Sequence, residues 1–335
     1  VVLWPRRNSW TRSPMIEPWY LGGLESPTEW WEGTTASGQP FRAPRLTAAE
    51  AVPIAENVRA VALEARESRS TSDVIRVVST AAARLTGDGA DGDTARGLLQ
   101  TELGWSEHLS RETLTGMSRS WTGEALTDLV RSEIGGPGPL DDFVEDPDWA
   151  GPGRRLRRAA GPPLILQVLA GNVPGVSITA TIRALIARSG VLCKVAEPEP
   201  GLLALFARLV AEEDPVLGRC MAVTWWPGRE FPPPWTEWTN RSGKVVVYGG
   251  EGAVQTIRGY LPAAIELIAY GPGVGIAVIL PDATGAEVEL ARDVLAYDQQ
   301  GCVSPRLVYV VGDSANAFAG RLLSLIHISE PTRLQ

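Results

Sequence analysis

From Pro163 onward the chain alternates short apolar runs with helical stretches, and this alternation limits the possible folds more than any other feature. The pattern predicts strands over Leu164–Leu169, Gly190–Val195, Met221–Trp225 and Lys244–Tyr248, and helices over Val176–Arg188, Leu202–Glu212 and Ala253–Tyr260. Two more apolar runs follow, Ile265–Ala269 and Ile276–Leu280. Strands that are apolar throughout and joined by helical crossovers belong in a parallel sheet covered on both faces. The predicted class is therefore α/β, and ligands of such sheets bind at the carboxyl ends of the strands.

The segment before this region is different. From Thr47 to about Ile134 the pattern is helical, with Thr47-Ala48-Ala49-Glu50 resembling a capping box and Ser72-Asp73 opening an amphipathic Val74–Leu85. These helices are expected to form a peripheral or lid-like layer. Gly135-Gly136-Pro137-Gly138-Pro139 and the Pro-, Gly- and Asp-rich residues up to Gly153 mark a linker. The basic run Arg154-Arg155-Leu156-Arg157-Arg158 follows it, and reads either as a solvated face or as a contact for phosphates of a nucleotide or coenzyme A.

Composition removes several functions. A net charge of −8 and a pI of about 5.1 oppose nucleic-acid binding, which needs a basic surface. The twelve tryptophans read as core or interface residues, because no basic stripe interleaves them. No apolar run reaches the roughly 18 residues of a membrane span, and residues 1–14 lack the apolar core of a secretory signal, so a cytoplasmic location is expected. Cys193, Cys220 and Cys302 lie far apart, which fits reduced thiols and predicts no metal site. With only His108 and His327 present, a histidine-activated nucleophile has few possible partners.

Three positions attract attention on chemical grounds. Cys302 lies in Tyr297-Asp298-Gln299-Gln300-Gly301-Cys302-Val303-Ser304-Pro305, a small polar turn between a helical pattern and the strand-like Leu307–Val311. That setting suits a nucleophile, although a free cysteine is more often a small buried hydrophobe. Two glycine turns, Ala170-Gly171-Asn172-Val173-Pro174-Gly175 and Tyr248-Gly249-Gly250-Glu251-Gly252, follow predicted strands and open predicted helices, whose free amides favour a phosphate or an oxyanion. No Gly-x-Gly-x-x-Gly fingerprint follows a strand. Lysine is scarce: of 31 Lys and Arg residues only Lys194 and Lys244 are lysines, and Lys194 falls at a predicted strand end.

Taken together, Leu169–Ser177, Val191–Pro200, Val246–Val254 and Tyr297–Pro305, in this order and spacing, resemble the acyl-CoA reductase family that includes the long-chain fatty acyl reductase subunit of bacterial bioluminescence, within the aldehyde dehydrogenase superfamily. The likeness runs from about Gly161 to Val311 and more loosely back to Met15. It implies an aldehyde dehydrogenase-like architecture. A helical amino-terminal region (15–150) would precede a dinucleotide-binding domain with a parallel Rossmann-type sheet (151–282) and the start of a catalytic domain (283–322).

The resemblance further implies that Cys302 attacks the thioester carbonyl, coenzyme A leaves, and hydride from a nicotinamide releases the aldehyde. Asn172 would stabilise the oxyanion, together with the backbone amide of Cys302. Lys194 would hydrogen-bond the adenosine ribose, and Gly249 with Gly250 would approach the cofactor's phosphates. NADPH is the cofactor expected from the family. NADH remains the alternative, because Glu197 matches an acidic side chain that contacts the ribose hydroxyls and would repel a 2′-phosphate. The chemistry agrees, since a thioester needs no histidine base and its thiohemiacetal collapses without a deacylating water. Lowering of the thiol pKa would come from local amides, the positive cofactor ring or nearby cations.

Superfamily members that oxidise aldehydes carry a water-activating glutamate where this chain has Ala269-Tyr270-Gly271-Pro272-Gly273, and Glu266 would need a register slip to replace it. Reduction of acyl thioesters is thus favoured, with a free-aldehyde dehydrogenase or an inactive nucleotide-binding fragment as alternatives. The expected donor is a fatty acyl-CoA or acyl-protein, with acyl-transferring partner subunits and a homo-oligomer at full length. Leu323–Arg333 looks like translated sequencing adapter, so 323–335 is expected to be artefact, His327 included, and the reading frame truncated, leaving this chain inactive by itself. Residues 1–14 are expected to be upstream read-through. Ile276–Leu280 and Leu307–Val311 are then expected to lack sheet partners.

Overall fold

In a computed structural model, the described residues are 16–22, 27–271, 273–299, 301, 304–312 and 315–329. The chain forms two compact units, residues 1–270 and 271–335.

The first unit opens with an antiparallel hairpin, β1 (Trp30–Thr34) and β2 (Pro40–Pro44). Five helices follow: α1 (Ala48–Ser68), α2 (Thr71–Thr86), α3 (Ala90–Leu103), α4 (Glu107–Ser118) and α5 (Gly123–Ile134). A short α6 (Gly138–Asp141) and the two-residue strands β3 (Val144–Glu145) and β4 (Leu156–Arg157) fill the linker. The alternating region then gives β5 (Leu164–Val168), α7 (Val176–Ile186), β6 (Gly190–Lys194), α8 (Gly201–Glu213), α9 (Pro215–Arg219) and β7 (Met221–Thr224). It ends with α10 (Pro233–Arg241), β8 (Lys244–Tyr248), α11 (Glu251–Tyr260) and β9 (Glu266–Tyr270). All pairings in the five-stranded sheet are parallel, in the order β7-β6-β5-β8-β9. The predicted strands are present, with ends within a residue or so of expectation.

The first helix of this segment is no lid. Thr47 and Glu50 close the expected capping box, and α1 then buries Ala51, Ile54, Ala55, Val58, Val61, Ala62 and Ala65 at helical spacing. Its first half packs on Leu164, Leu166, Leu192 and Ala222 of β5, β6 and β7, while Trp235 and Trp238 of α10 and Val254 and Ile257 of α11 extend the cover of that face towards Val245 and Val247 of β8. Gly190 makes this possible, because a Cβ there would lie 2.9 Å from both the Cγ1 and the carbonyl oxygen of Val58. At the other end of α1, Arg188, in the left-handed region (φ 65°), donates to the carbonyls of Ala65 and Arg66 at 3.0 Å and so caps the helix from the sheet side. The expectation of a peripheral layer fails for α1, whose alanine-rich face lies flat on the strands, whereas α2 to α5 pack on other helices. The opposite face is covered by α7 and α8 around Ile165, Val191, Cys193 and Val223, and α2 packs on those two helices. The capping box of α2 is Ser70 with Asp73, two residues before the expected Ser72 start.

The second unit is a βαβα arrangement: β10 (Gly275–Ile279), α12 (Ala286–Leu295), a 3-10 turn (Ala296–Gln299), β11 (Pro305–Val310) and α13 (Ala315–Ser329). The two runs expected to lack partners pair with each other, in parallel. Helix α13 continues through Leu323 to Ser329, into the segment expected to be adapter sequence, and residues 330–335 lie outside the described residues.

Candidate functional site

At the carboxyl edge of the sheet, Val168 at the end of β5 pairs with Lys194 of β6 on one side and Val247 of β8 on the other. The chain leaves β5 towards β6 and β7 but returns to β8 and β9 beyond it, so strand order reverses between β5 and β8. A crevice at such a reversal is where ligands of this architecture bind.

The first turn there begins with Leu169, whose amide donates to the carbonyl of Lys194 at 2.9 Å. Gly171 lets the turn lie against the following β6 loop, since a Cβ would come within 2.9 Å of Ala196 Cβ. Asn172 is exposed on this turn, between buried Gly171 and buried Val173. Gly175 starts α7 in the left-handed region (φ 87°), and a side chain on it would meet the Trp121 indole at 2.9 Å. Trp121, buried, donates from Nε1 to Thr179 Oγ1 at 2.9 Å. The amino-terminal helices thus fix the Asn172 turn from behind.

Lys194 is 8% exposed, and burial pushes its pKa down to about 8 against the opposing pull of the Glu197 carboxylate. Glu197 itself is exposed. On the neighbouring strand, Thr224 pairs with Lys194 and its buried Oγ1 has no hydrogen-bond partner among the described residues. A buried lysine on one strand, an unsatisfied hydroxyl at the paired position of the next and an exposed carboxylate three residues on suit the hydroxyls of a ribose.

Two helices start at this edge with different chemistry. At α8 the protein fills the position itself: Glu199 Oε1 accepts from the Leu202 amide at 3.3 Å, and the wholly buried Glu102 of α3 reaches Gly201. Burial raises Glu199 to about 8, while burial and the Glu199 charge raise Glu102 well above the carboxylate range, so the pair retains a proton at neutral pH. At α11 no side chain caps the start. Gly250 is the cap, a Cβ on it would meet nothing within 4 Å, and the first intrahelical bond runs from the Val254 amide to the Gly250 carbonyl. The amides of residues 251–253 therefore precede the helical ladder and suit a phosphate.

Cys302 lies outside the described residues. Its neighbours belong to the second unit: Tyr297 in the left-handed region (φ 55°), buried Gly301, and buried Ser304, whose amide donates to the Gly301 carbonyl at 3.1 Å. The structure thus brings Asn172, Lys194, Glu197, Gly249 and Gly250 to one edge of the first unit. Glu266 sits at the amino end of β9, ion-paired to Lys244 at 2.8 Å. It is a strand's length, roughly 13 Å, from the carboxyl edge. The arginines of 154–158 serve the linker: Arg154 pairs with Glu145 at 2.6 Å and Arg155 with Asp146 at 3.3 Å. Sequence reasoning missed Trp121, Glu102 and Glu199. The repeat Glu197-Pro198-Glu199-Pro200 carried a trace of the last, and no local signal marks the other two.

Known proteins supply the context for this geometry. The family model described as acyl-CoA reductase (LuxC) matches residues 67–325. A long-chain acyl-protein thioester reductase of Photobacterium phosphoreum is 26% identical over 231 residues, covering 68% of this chain and 46% of that protein. The chain spans about half the length of the curated relatives it matches. Among solved structures, a putative aldehyde dehydrogenase from Burkholderia cenocepacia aligns with a TM-score of 0.69 at 17% identity, over 91% of this chain and 63% of its own. An NAD-dependent benzaldehyde dehydrogenase from Corynebacterium glutamicum aligns with a TM-score of 0.69 at 15% identity, over 92% and 66%. The fold is aldehyde dehydrogenase-like.

Proposed function

Because the chain belongs to the acyl-CoA reductase (LuxC) family, we propose that it carries the cofactor-binding sheet and the nucleophile of an enzyme that reduces a long-chain fatty acyl thioester to the aldehyde. The observation that supports this most is the gathering of Asn172, Lys194, Gly249 and Gly250 at the carboxyl edge beside the strand-order reversal. The sulfur of Cys302 attacks the thioester carbonyl. The carbonyl–sulfur bond to the donor then breaks, and the donor thiol leaves with a proton. Asn172 donates its side-chain amide to the oxyanion at each tetrahedral stage. Lys194 and Glu197 hold the adenosine ribose, and the open start of α11 takes the phosphates. When bound, the reduced nicotinamide supplies the hydride that releases the aldehyde.

With Glu266 at the wrong end of β9 and Ala269 near its carboxyl end, no glutamate of this strand is available to activate water, which favours reduction over hydrolysis. NADPH is the proposed cofactor. NADH is the alternative, favoured by the repulsion between Glu197 and a 2′-phosphate. The donor is a fatty acyl-CoA or an acyl-protein, as the name of the Photobacterium relative suggests. We place the enzyme in the cytoplasm as a homo-oligomer served by acyl-transferring partners. Among the described residues no helix is long and apolar enough to cross a membrane.

The test is NADPH and NADH oxidation with a long-chain acyl-CoA, with the aldehyde trapped as its hydrazone, in the protein extended to the length of its relatives. Aldehyde formed in step with oxidation supports the proposal. A fatty acid as sole product, or turnover of free aldehyde without coenzyme A, would replace it with the oxidising reading. The 335-residue chain by itself is expected to bind the cofactor without turnover.

A further inference from the structure

Two tyrosines end adjacent strands at the same edge. Tyr248 closes β8 and Tyr270 closes β9, the two are register partners, and their rings stack with centroids 4.7 Å apart and planes at 13°. The Gly249 amide donates to the Tyr270 carbonyl at 3.1 Å, tying the glycine turn before α11 to the same strand end. Below the tyrosines on this face run Val246 beside Ile268, then Lys244 paired to Glu266. Tyr248 is half-buried against the core, whereas Tyr270 is 50% exposed and leaves one face of the stack open. A flat, neutral aromatic surface thus stands immediately beside the proposed phosphate position.

We propose that the Tyr248–Tyr270 pair is the stacking wall for the nicotinamide ring of the cofactor. This rests on the reading above that a dinucleotide lies along the carboxyl edge. With the adenosine ribose at Lys194 and Glu197 on β6 and the phosphates at Gly249–Gly250, the molecule has crossed the reversal point, and its second ring system is carried to the β8–β9 half. The sheet edge presents a stack of tyrosine rings there. A planar ring gains offset stacking on such a surface, and the oxidised nicotinamide adds cation–π attraction. The second role follows from geometry: stacking fixes the plane of the ring from which hydride leaves, so Tyr270 is a positioning residue and takes no part in bond making.

The experiment titrates the 335-residue chain by calorimetry with NADP⁺ and, separately, with 2′-phospho-ADP-ribose, which lacks only the nicotinamide. The expected result is that Tyr270→Ala weakens NADP⁺ about two- to tenfold, leaves the truncated ligand unchanged, and that Tyr270→Phe behaves like the parent. Equal losses for both ligands, or no loss for either, would overturn the proposal while leaving the dinucleotide site intact. Failure of the parent chain to bind either ligand would overturn that site and this inference together. Should Tyr270→Ala not fold, transferred nuclear Overhauser contacts between nicotinamide protons and tyrosine ring protons in the unaltered chain decide the matter: their presence supports the wall, and their absence in the bound state rejects it.

Discussion

The two units use the same element, a parallel strand, under opposite conditions. In the first unit every residue of β6 is buried and both faces of the sheet carry helices. In the second, β10 and β11 read as equally apolar, yet Ile276, Val278 and Tyr309 are each 57% exposed. Parallel strands derive their stability from cover on both faces, which the first unit has and the described residues of the second unit have to a lesser extent. The proposed division of labour follows that difference. The proposed binding groups sit on the well-covered sheet, and the proposed nucleophile Cys302 belongs to the unit with less burial.

The largest effect that sharpens this comparison comes from the second unit. In the extended protein Cys302→Ala should reduce aldehyde formation by roughly 10³-fold or more, while NADP⁺ affinity of the 335-residue chain, measured by calorimetry, stays at the parent value. Equal damage to both would break the division. Next is Asn172→Ala, expected to lower kcat by about 10²- to 10³-fold with little change in acyl-CoA KM, as steady-state kinetics would reveal.

Lys194→Ala comes third. Loss of a charged donor to the ribose should weaken both dinucleotides about tenfold or more, whereas Glu197→Gln should improve NADPH relative to NADH. An unchanged preference in Glu197→Gln would remove that carboxylate from the ribose site.

The buried pair Glu102–Glu199 offers a pH test of the first unit. Both carboxyls have raised pKa values, so the folded chain holds the shared proton more tightly than the unfolded chain does. This contribution to stability is full below the ordinary value of 4.5 and is lost as the pH rises from there through about 8. Glu102→Gln, which cannot ionise, should flatten that slope and stabilise the chain at pH 8 by roughly 1–3 kcal/mol, read from urea melts at two pH values. The smallest effect is at Glu266. Glu266→Gln gives up a largely exposed ion pair with Lys244 and should cost about 0–1 kcal/mol without altering the aldehyde product.

How much of this was legible in the sequence depended on the range of the interaction. The strands of the sheet were readable because parallel strands are apolar throughout, and the Thr47–Glu50 box because its partners lie three residues apart. The docking of α1 was hidden: it depends on Gly190 accepting Val58, a contact between distant parts of the chain. The Glu102–Glu199 pair and the Trp121 brace on Gly175 were hidden for the same reason. At the site, glycine turns and a rare lysine drew attention locally, but the roles proposed for them came from resemblance to a family; the match over residues 67–325 shows the family alone. Helical pattern alone could not tell a lid from a cover, since both bury one face.

In the proposed reaction, acyl transfer to Cys302 precedes reduction. The direct measurement is intact-protein and peptide mass spectrometry of the extended protein after exposure to a long-chain acyl-CoA, first without and then with NADPH. One added acyl group is expected on the Cys302 peptide, discharged as aldehyde when NADPH is supplied. No adduct, an adduct on another residue, or discharge as free fatty acid would contradict it.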